Sequence, residues 1–260
     1  MREPGRPADP DPTADLTADP IAGPLARVRR IWHQVLRPLP GGWWLDAALI
    51  VALALLTLAL ATMTPLLRLD VAVADWCDTH RPFPAFLVAG AFNYVGQGTP
   101  LTLLTLGLGC WRAVRCRSVR PPLVAVVTFG LTYLTIGPLK VLTDRAAPHA
   151  KLAEPELMFA VTDGMSYPSG HVVNALAWYC ALTIVLGDLL SDRMRRILRF
   201  GAPAMVVVTT TYLGWHWISD DVAGLLLGIV LVRVLLRIRW HTLPLGRRLA
   251  RADLDHPFDR

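Results

Sequence analysis

Ser166-Tyr167-Pro168-Ser169-Gly170-His171 places a hydroxyl, a glycine and an imidazole where a polar segment enters a long apolar run. Pro168 favours an extended approach, and Gly170 lets a ligand come close to the backbone as a helix begins. The first turn of that helix offers unpaired backbone N–H groups and the positive end of the helix dipole, which bind anions well. The hexapeptide therefore predicts a phosphate site at the start of a membrane helix.

Two side chains of this stretch allow either a chemical or a structural interpretation. Ser169 adds a hydroxyl donor, and His171 can give a proton to a leaving oxygen near neutral pH. Alternatively, Ser169 only caps the helix and His171 only lies at the membrane interface. The compact Pro-Ser-Gly-His order in this context favours the chemical interpretation.

Long apolar segments fill most of the remaining chain, which is 53% hydrophobic and 18% charged. A helix needs about 20 mostly apolar residues to cross the hydrocarbon core. We therefore expect an all-α fold, a polytopic membrane helix bundle with six transmembrane helices. They are predicted at residues 43–64, 86–111, 123–141, 171–190, 198–215 and 218–236, the second interrupted by Gly96-Gln97-Gly98.

The segments outside these spans have a different composition. The composition of residues 1–24 predicts a disordered tail without a cleaved signal peptide. The arginines of residues 25–42 predict a basic juxtamembrane segment. Residues 43–239 are expected to form the membrane domain, and residues 240–260 a cytoplasmic tail. An interfacial segment is expected at 69–82, with Trp76 buried and with the following side chains in water: Asp70, Asp75, Asp78 and Arg81.

Basic loops alternate with polar clusters along the six spans, and the positive-inside rule makes the basic side cytoplasmic. Both termini are then cytoplasmic, and the polar clusters lie at the external face of the cell membrane. The net charge of +6 is explained by these loops, so we expect no nucleic-acid partner. The loops carry Arg27, Arg29, Arg30, Arg37, Arg112, Arg115, Arg117, Arg120, Arg193, Arg195, Arg196, Arg199, Arg237, Arg239, Arg247, Arg248 and Arg251.

The cysteines show no metal-ligand spacing, and three of the four lie in or beside predicted spans. A disulfide framework is therefore not expected, nor is a metal site or a cofactor. The four residues are Cys77, Cys110, Cys116 and Cys180.

Two further polar clusters fall at the depth of the hexapeptide. Lys140 lies at the outer end of the third span, where an anion or simple snorkelling would explain a basic residue. His216 and Asp220 are four residues apart, so on a helix they share a face and can hydrogen-bond. A carboxylate on one ring nitrogen leaves the other free as a nucleophile. The alternative is a capped helix start with His216 in an aromatic belt.

The combination of a lysine and a proline at 140–148, Pro-Ser-Gly-His at 168–171 and His-x-x-x-Asp at 216–220 resembles the type 2 phosphatidic acid phosphatase (PAP2) superfamily over residues 121–236. The resemblance implies a metal-independent membrane phosphatase that acts on a lipid phosphate, such as a phosphatidate or a polyprenyl phosphate or diphosphate. It implies that His216 attacks phosphorus to form a phosphohistidine.

The same resemblance assigns roles to the other motif residues. Asp220 would orient His216, and His171 would protonate the leaving oxygen and later activate water. The groups that would bind the phosphoryl oxygens and stabilise the transition state are Lys140, Ser169 and the backbone N–H of Gly170.

The sequence departs from the family pattern at two arginine positions. Ala147 stands where an arginine precedes Pro148, and Thr209-Thr210 replaces Ser-Arg. Each lost charged hydrogen bond is worth about 1.5–3 kcal/mol. Arg145 is expected to replace the first arginine as a phosphate ligand, which makes the chain a divergent member with altered phosphate recognition. A lipid head-group phosphotransferase and a lipid-phosphate binder without turnover remain alternatives.

Overall fold

Helices account for nearly all of the secondary structure in the computed structural model, which describes residues 36–62, 65–160, 164–240 and 243. The predicted tail 1–24 and most of the predicted segments 25–42 and 240–260 lie outside these ranges. The helices are α1 (Gly42–Ala61), α2 (Pro65–Thr79), α3 (Phe83–Asn93), α4 (Gly98–Cys116), α5 (Arg120–Thr143), α6 (Gly170–Leu186), α7 (Asp192–Arg196), α8 (Ala202–Leu213) and α9 (Ile218–Arg237).

The predicted all-α membrane bundle is confirmed, with differences in individual spans. Among the described residues, α1, α5 and the helical stretch Gly170–Leu189 are long and apolar enough to cross a membrane. The second predicted span is two helices, because a 3-10 turn at Tyr94–Gly96 separates α3 from α4. The fifth predicted span is α8 with a π-helical lead-in at Ile197–Gly201, and the sixth is α9, which carries charged residues at both ends.

The predicted interfacial segment is a helix of the bundle, α2, and two of its expected exposures are wrong. Trp76, expected to be buried, is 58% exposed, whereas Asp70, expected in water, is 1% exposed. The reason is that Asp70 finds an arginine and a serine inside the bundle, and a buried charge is tolerated only with such partners.

The centre of the bundle is α6, which packs against α4, α5, α8 and α9. Its buried face is continuous from Val172 to Val185 and includes Trp178. Two glycines of α9 allow a close approach to α6: a Cβ at Gly224 would lie 2.9 Å from the backbone oxygen of Ser169, and one at Gly228 would lie 2.5 Å from Leu176. This approach brings the first turns of α6 and α9 together.

The directions of the helices place the segments that connect them at two opposite ends of the bundle. Helices α6 and α9 begin, and α5 ends, at the end that holds the three polar clusters. The opposite end holds the start of α1 and the end of α9, where Asp46 forms ion pairs with Arg233 and Arg237. There Arg112 of α4 also pairs with Asp188 at 2.7 Å.

The close packing at Gly224 leads to a test of the fold. We expect Gly224→Ala to lower the free energy of unfolding by about 1–3 kcal/mol, because the added methyl meets backbone that must move. The thermal midpoint in detergent micelles measures this. Gly130→Ala in α5 is the matched control, since nothing lies within 4 Å of its Cβ position. An unchanged midpoint for Gly224→Ala would contradict the tight α6–α9 contact.

Candidate active site

The three predicted clusters meet at one end of the bundle. Lys140, Gly170, His171 and His216 line a single cavity of about 450 Å³. Lys140 lies in the last turn of α5 and donates through Nζ to the backbone oxygen of Met165. Gly170 opens α6, so the cavity wall includes the N-terminal end of that helix.

The two histidines touch each other. Nδ1 of His171 lies 3.2 Å from Nε2 of His216, and the rings meet edge to face with centroids 5.4 Å apart. His171 is the second residue of α6, whereas His216 lies in the turn between α8 and α9. That turn requires Gly214, whose φ of +68° is left-handed and whose Cβ position would lie 2.0 Å from His149.

A hydroxyl links His216 to the buried carboxylate of Asp220. Ser166 Oγ donates to Asp220 Oδ2 at 2.5 Å and lies 3.2 Å from His216 Nδ1. Because the single hydroxyl proton is donated to the carboxylate, Ser166 Oγ must accept a hydrogen bond from His216 Nδ1–H. The lone pair of His216 then lies on Nε2, and the N–H of His171 Nδ1 points at it. The network thus assigns the tautomer that a nucleophilic Nε2 needs.

This arrangement corrects the expected direct bond between His216 and Asp220. The distance from His216 Nδ1 to Asp220 Oδ2 is 3.7 Å, which is too long for a hydrogen bond. The i, i+4 argument fails because α9 begins at Ile218, so His216 is not on the helix that carries Asp220. Asp220 Oδ2 instead accepts from the backbone N–H of Trp217 at 3.1 Å and from Ser166.

Arg145 is not placed as the phosphate ligand that the sequence predicted. Its side chain is fully buried, and its guanidinium bonds to Asp220 Oδ1 and Asp70 Oδ2, each at 2.6 Å. It also donates to Ser219 Oγ at 2.8 Å and to the backbone oxygen of Glu156 at 2.9 Å. Moving the guanidinium into the cavity would leave two buried carboxylates without a counter-ion, which is strongly destabilising.

Ser169 and Thr210 are also turned away from the cavity. Ser169 is fully buried, and its hydroxyl caps α6 by accepting from the N–H of Val172, which is the structural alternative considered for it. Thr210 is fully buried and donates to Asp221 Oδ2 at 2.7 Å. The position of the second missing arginine therefore faces a carboxylate of α9.

Several residues of the site were missed from the sequence. Gln97 and Asn174 line the cavity beside Lys140 and His171. Asn174 lies three residues after His171 on the same face of α6, so helical spacing could have identified it. Gln97 sits in the break between α3 and α4, where a polar residue flanked by glycines in an apolar run was the available signal.

A second cavity of about 730 Å³ lies on the other side of the two histidines. Its lining includes Ala147, where the family pattern has an arginine, and Arg81, which follows α2. Arg81 is held by Asp78 and by the backbone oxygen of Tyr212, each at 2.6 Å. Ala147 therefore leaves open space at this cavity, where the longer side chain of an arginine would extend.

Tyr167 connects the hexapeptide to α1. Its hydroxyl lies 2.7 Å from Thr57 Oγ1, and the side chain is 1% exposed. Burial raises the pKa of Tyr167 to about 12, so the hydroxyl stays protonated at any physiological pH.

Within the described ranges, no group of three or more His, Cys, Asp or Glu side chains is arranged to hold a metal ion.

The bundle and the site together define a class of protein: a helical membrane protein with a histidine pair, a lysine and a buried carboxylate cluster at one end of its spans. Residues 121–243 match the family model of the PAP2 superfamily, which confirms the resemblance drawn from the motifs.

The fold is similar to the crystal structure of a transmembrane PAP2-type phosphatidylglycerolphosphate phosphatase from Bacillus subtilis. The TM-score is 0.62 at 22% sequence identity, and the match covers 74% of this chain and 94% of that chain. No curated protein matches this sequence. At this identity, the structural match supports the fold.

The burial of Arg145 leads to a test of its role. We expect Arg145→Ala to lower the free energy of unfolding by about 3–5 kcal/mol, because it leaves the carboxylates of Asp70 and Asp220 buried without a counter-ion. Thermal unfolding in micelles measures this, with the exposed Arg115→Ala as the control. A wild-type midpoint for Arg145→Ala would instead favour the phosphate-ligand role predicted from the sequence.

Proposed function

We propose that this protein is a membrane phosphatase that hydrolyses a lipid phosphate through a phosphohistidine on His216. The main support is the contact between His171 Nδ1 and His216 Nε2 at 3.2 Å, in a cavity that also holds Lys140. A nucleophile, a proton donor and a cation beside one cavity are the groups that phosphoryl transfer requires. The match of residues 121–243 to the PAP2 family model agrees with this chemistry.

The proposed reaction has two steps. Nε2 of His216 attacks phosphorus, and the bond from phosphorus to the lipid oxygen breaks as His171 gives that oxygen a proton. Water then attacks the phosphohistidine, His171 takes a proton from it, and inorganic phosphate leaves with His216 restored. The lone pair needed on Nε2 is the one that the Ser166 and Asp220 network leaves free.

Substrate binding must separate the two imidazole rings. A nucleophile and its target atom lie about 3–3.5 Å apart before attack. The two ring nitrogens are already 3.2 Å apart, so no phosphoryl group fits between them. We propose that the phosphoryl group enters from the cavity of Lys140 and displaces His171, which then faces the leaving oxygen.

Although two arginines of the family pattern are missing, the cavity contains other hydrogen-bond donors for the phosphoryl oxygens. Lys140 supplies a cation, Gln97 and Asn174 supply side-chain amides, and Gly170 supplies a backbone N–H at the start of α6. Of the predicted phosphate ligands, Lys140 and Gly170 fit this proposal, whereas Arg145 and Ser169 are engaged elsewhere.

The adjoining surface supports a lipid substrate. A cavity of about 370 Å³ shares Gly98, Thr99 and Asn174 with the histidine cavity and continues between α4 and α5 along apolar and aromatic side chains. Its lining includes Leu103, Phe129 and Tyr133. A phosphate bound near Lys140 could therefore remain attached to a chain that lies along these helices in the bilayer.

Activity is tested with purified protein in micelles, given phosphatidate, phosphatidylglycerolphosphate and polyprenyl diphosphate in turn. We expect release of inorganic phosphate that falls by about 100-fold or more in both His216→Ala and His171→Ala, because each removes a group used in the chemical steps. The exposed His80→Ala is the matched control.

The same assay separates the alternatives. A phosphate adduct on His216, detected by mass spectrometry and absent in His216→Ala, would support the covalent step. Head-group exchange without free phosphate would show a phosphotransferase, and saturable binding without turnover would show a binder. Undiminished phosphate release by His216→Ala would refute the assignment of the nucleophile.

We also propose that the site faces the exterior of the cell membrane and that both termini are cytoplasmic. The support is that the arginine-rich connections lie at the end of the bundle opposite the histidines, as the positive-inside rule requires. The described connections at that end include residues 117–119 and 187–201.

Labelling of intact cells tests this orientation. In a Cys110→Ser background, we expect Lys151→Cys to react with a membrane-impermeant maleimide, because the exposed Lys151 lies in the segment between α5 and α6 on the side of the site. Arg117 is exposed at the other end of the bundle, so Arg117→Cys should react only after the membrane is permeabilised. The reverse pattern would place the site in the cytoplasm.

A further inference from the structure

Asp70 of α2 lies outside the residues that match the PAP2 model, yet it is buried beside the site. Its Oδ2 is 2.6 Å from Arg145 Nη2 and accepts from Ser219 Oγ at 2.5 Å. Its Oδ1 accepts from the backbone N–H of Ser219 at 3.0 Å. Asp70 thus holds both the arginine and the first turn of α9, which carries Asp220.

A continuous chain of hydrogen bonds joins Asp70 to the proposed nucleophile. Arg145 bonds to Asp70 through Nη2 and to Asp220 through Nη1, each at 2.6 Å. Asp220 accepts from Ser166 at 2.5 Å, and Ser166 lies 3.2 Å from His216 Nδ1. Three of these links involve a charged group in a buried setting, where hydrogen bonds are strong and reinforce one another.

The charges in this chain give Asp70 an electrostatic effect on His216. Asp70 and Asp220 share one guanidinium, so the buried cluster of the three side chains carries a net charge of −1. Without Asp70, Arg145 would neutralise Asp220 alone. The negative potential that Asp220 provides for the imidazolium-like charge developing on His216 would then be weaker.

We infer that Asp70 is a positioning residue for the phosphoryl-transfer reaction: through Arg145, it fixes the orientation of Asp220 and preserves its negative charge for His216. The inference rests on the proposed phosphatase function. It gives Arg145 a role in place of the phosphate contact expected from the sequence. It also makes α2, which the family match does not include, a part of the working site.

The test compares steady-state constants of wild type and Asp70→Asn with the lipid phosphate that wild type hydrolyses. We expect kcat to fall about 10–100-fold, by analogy with the loss found when hydrogen-bond partners of metal-ligating histidines are removed. KM should change by no more than about threefold, because Asp70 does not line the cavity. Asp75→Asn, exposed on the same helix, is the matched control.

A double-variant cycle tests the route. If Asp70 acts through Asp220 and Ser166, then Asp70→Asn combined with Ser166→Ala loses less kcat than the product of the two single losses. Losses that multiply would mean that the two side chains act independently, and would overturn the inference. A wild-type kcat in Asp70→Asn would overturn it as well.

Ser219→Ala keeps the inference testable if Asp70→Asn does not fold. It removes the hydroxyl that bonds to both Asp70 and Arg145 but keeps every charge. We expect a kcat about three- to tenfold below wild type with KM unchanged, and an unchanged kcat would count against the inference. A wild-type protein that hydrolyses no lipid phosphate would refute the proposed function itself, which is a separate outcome.

Discussion

Arg145 is a fully buried cation that bonds to carboxylates from two helices, and the geometry of the site depends on this arrangement. Asp70 belongs to α2 and Asp220 to α9, so one guanidinium fixes two helices and the segment after α5. Burying three charges is costly, and the cost is offset only when every member has partners with good geometry. The hydroxyl of Ser219 and the backbone oxygen of Glu156 supply the remaining partners.

The hydroxyl of Ser166 connects the fixed carboxylate of Asp220 to the histidine pair. Asp220 is too far from His216 for a direct hydrogen bond, and Ser166 lies between them. The hydrogen bonds of Ser166 determine which ring nitrogen of His216 keeps its lone pair. The hexapeptide therefore supplies three different groups: Ser166 for the tautomer, Ser169 for the helix cap and His171 for the cavity. The close contact of α6 and α9 at Gly224 brings these groups to the start of α9.

Local patterns in the sequence predicted the helices well, because apolar length and flanking turn residues act over a few residues. They also placed Lys140, Gly170, His171 and His216 at one end of the bundle, where the structure has them around one cavity. The exposure of Asp70 was misjudged, and the burial of Arg145 between Asp70 and Asp220 was not foreseen. Their partners are 75 residues away in the chain, and no periodic pattern reports such a contact.

The sequence by itself determined the fold class, the PAP2 resemblance and the residue types available for the proposed phosphoryl transfer, because each depends on composition or on short motifs. Only the tertiary structure decided that the Ser166 hydroxyl contacts His216 and that Arg145 is buried between two carboxylates. It also brought Asp70, Gln97 and Asn174 to the site. The physical reason is that a charged or polar side chain takes the partner that burial makes most favourable, and that partner is chosen by helix packing.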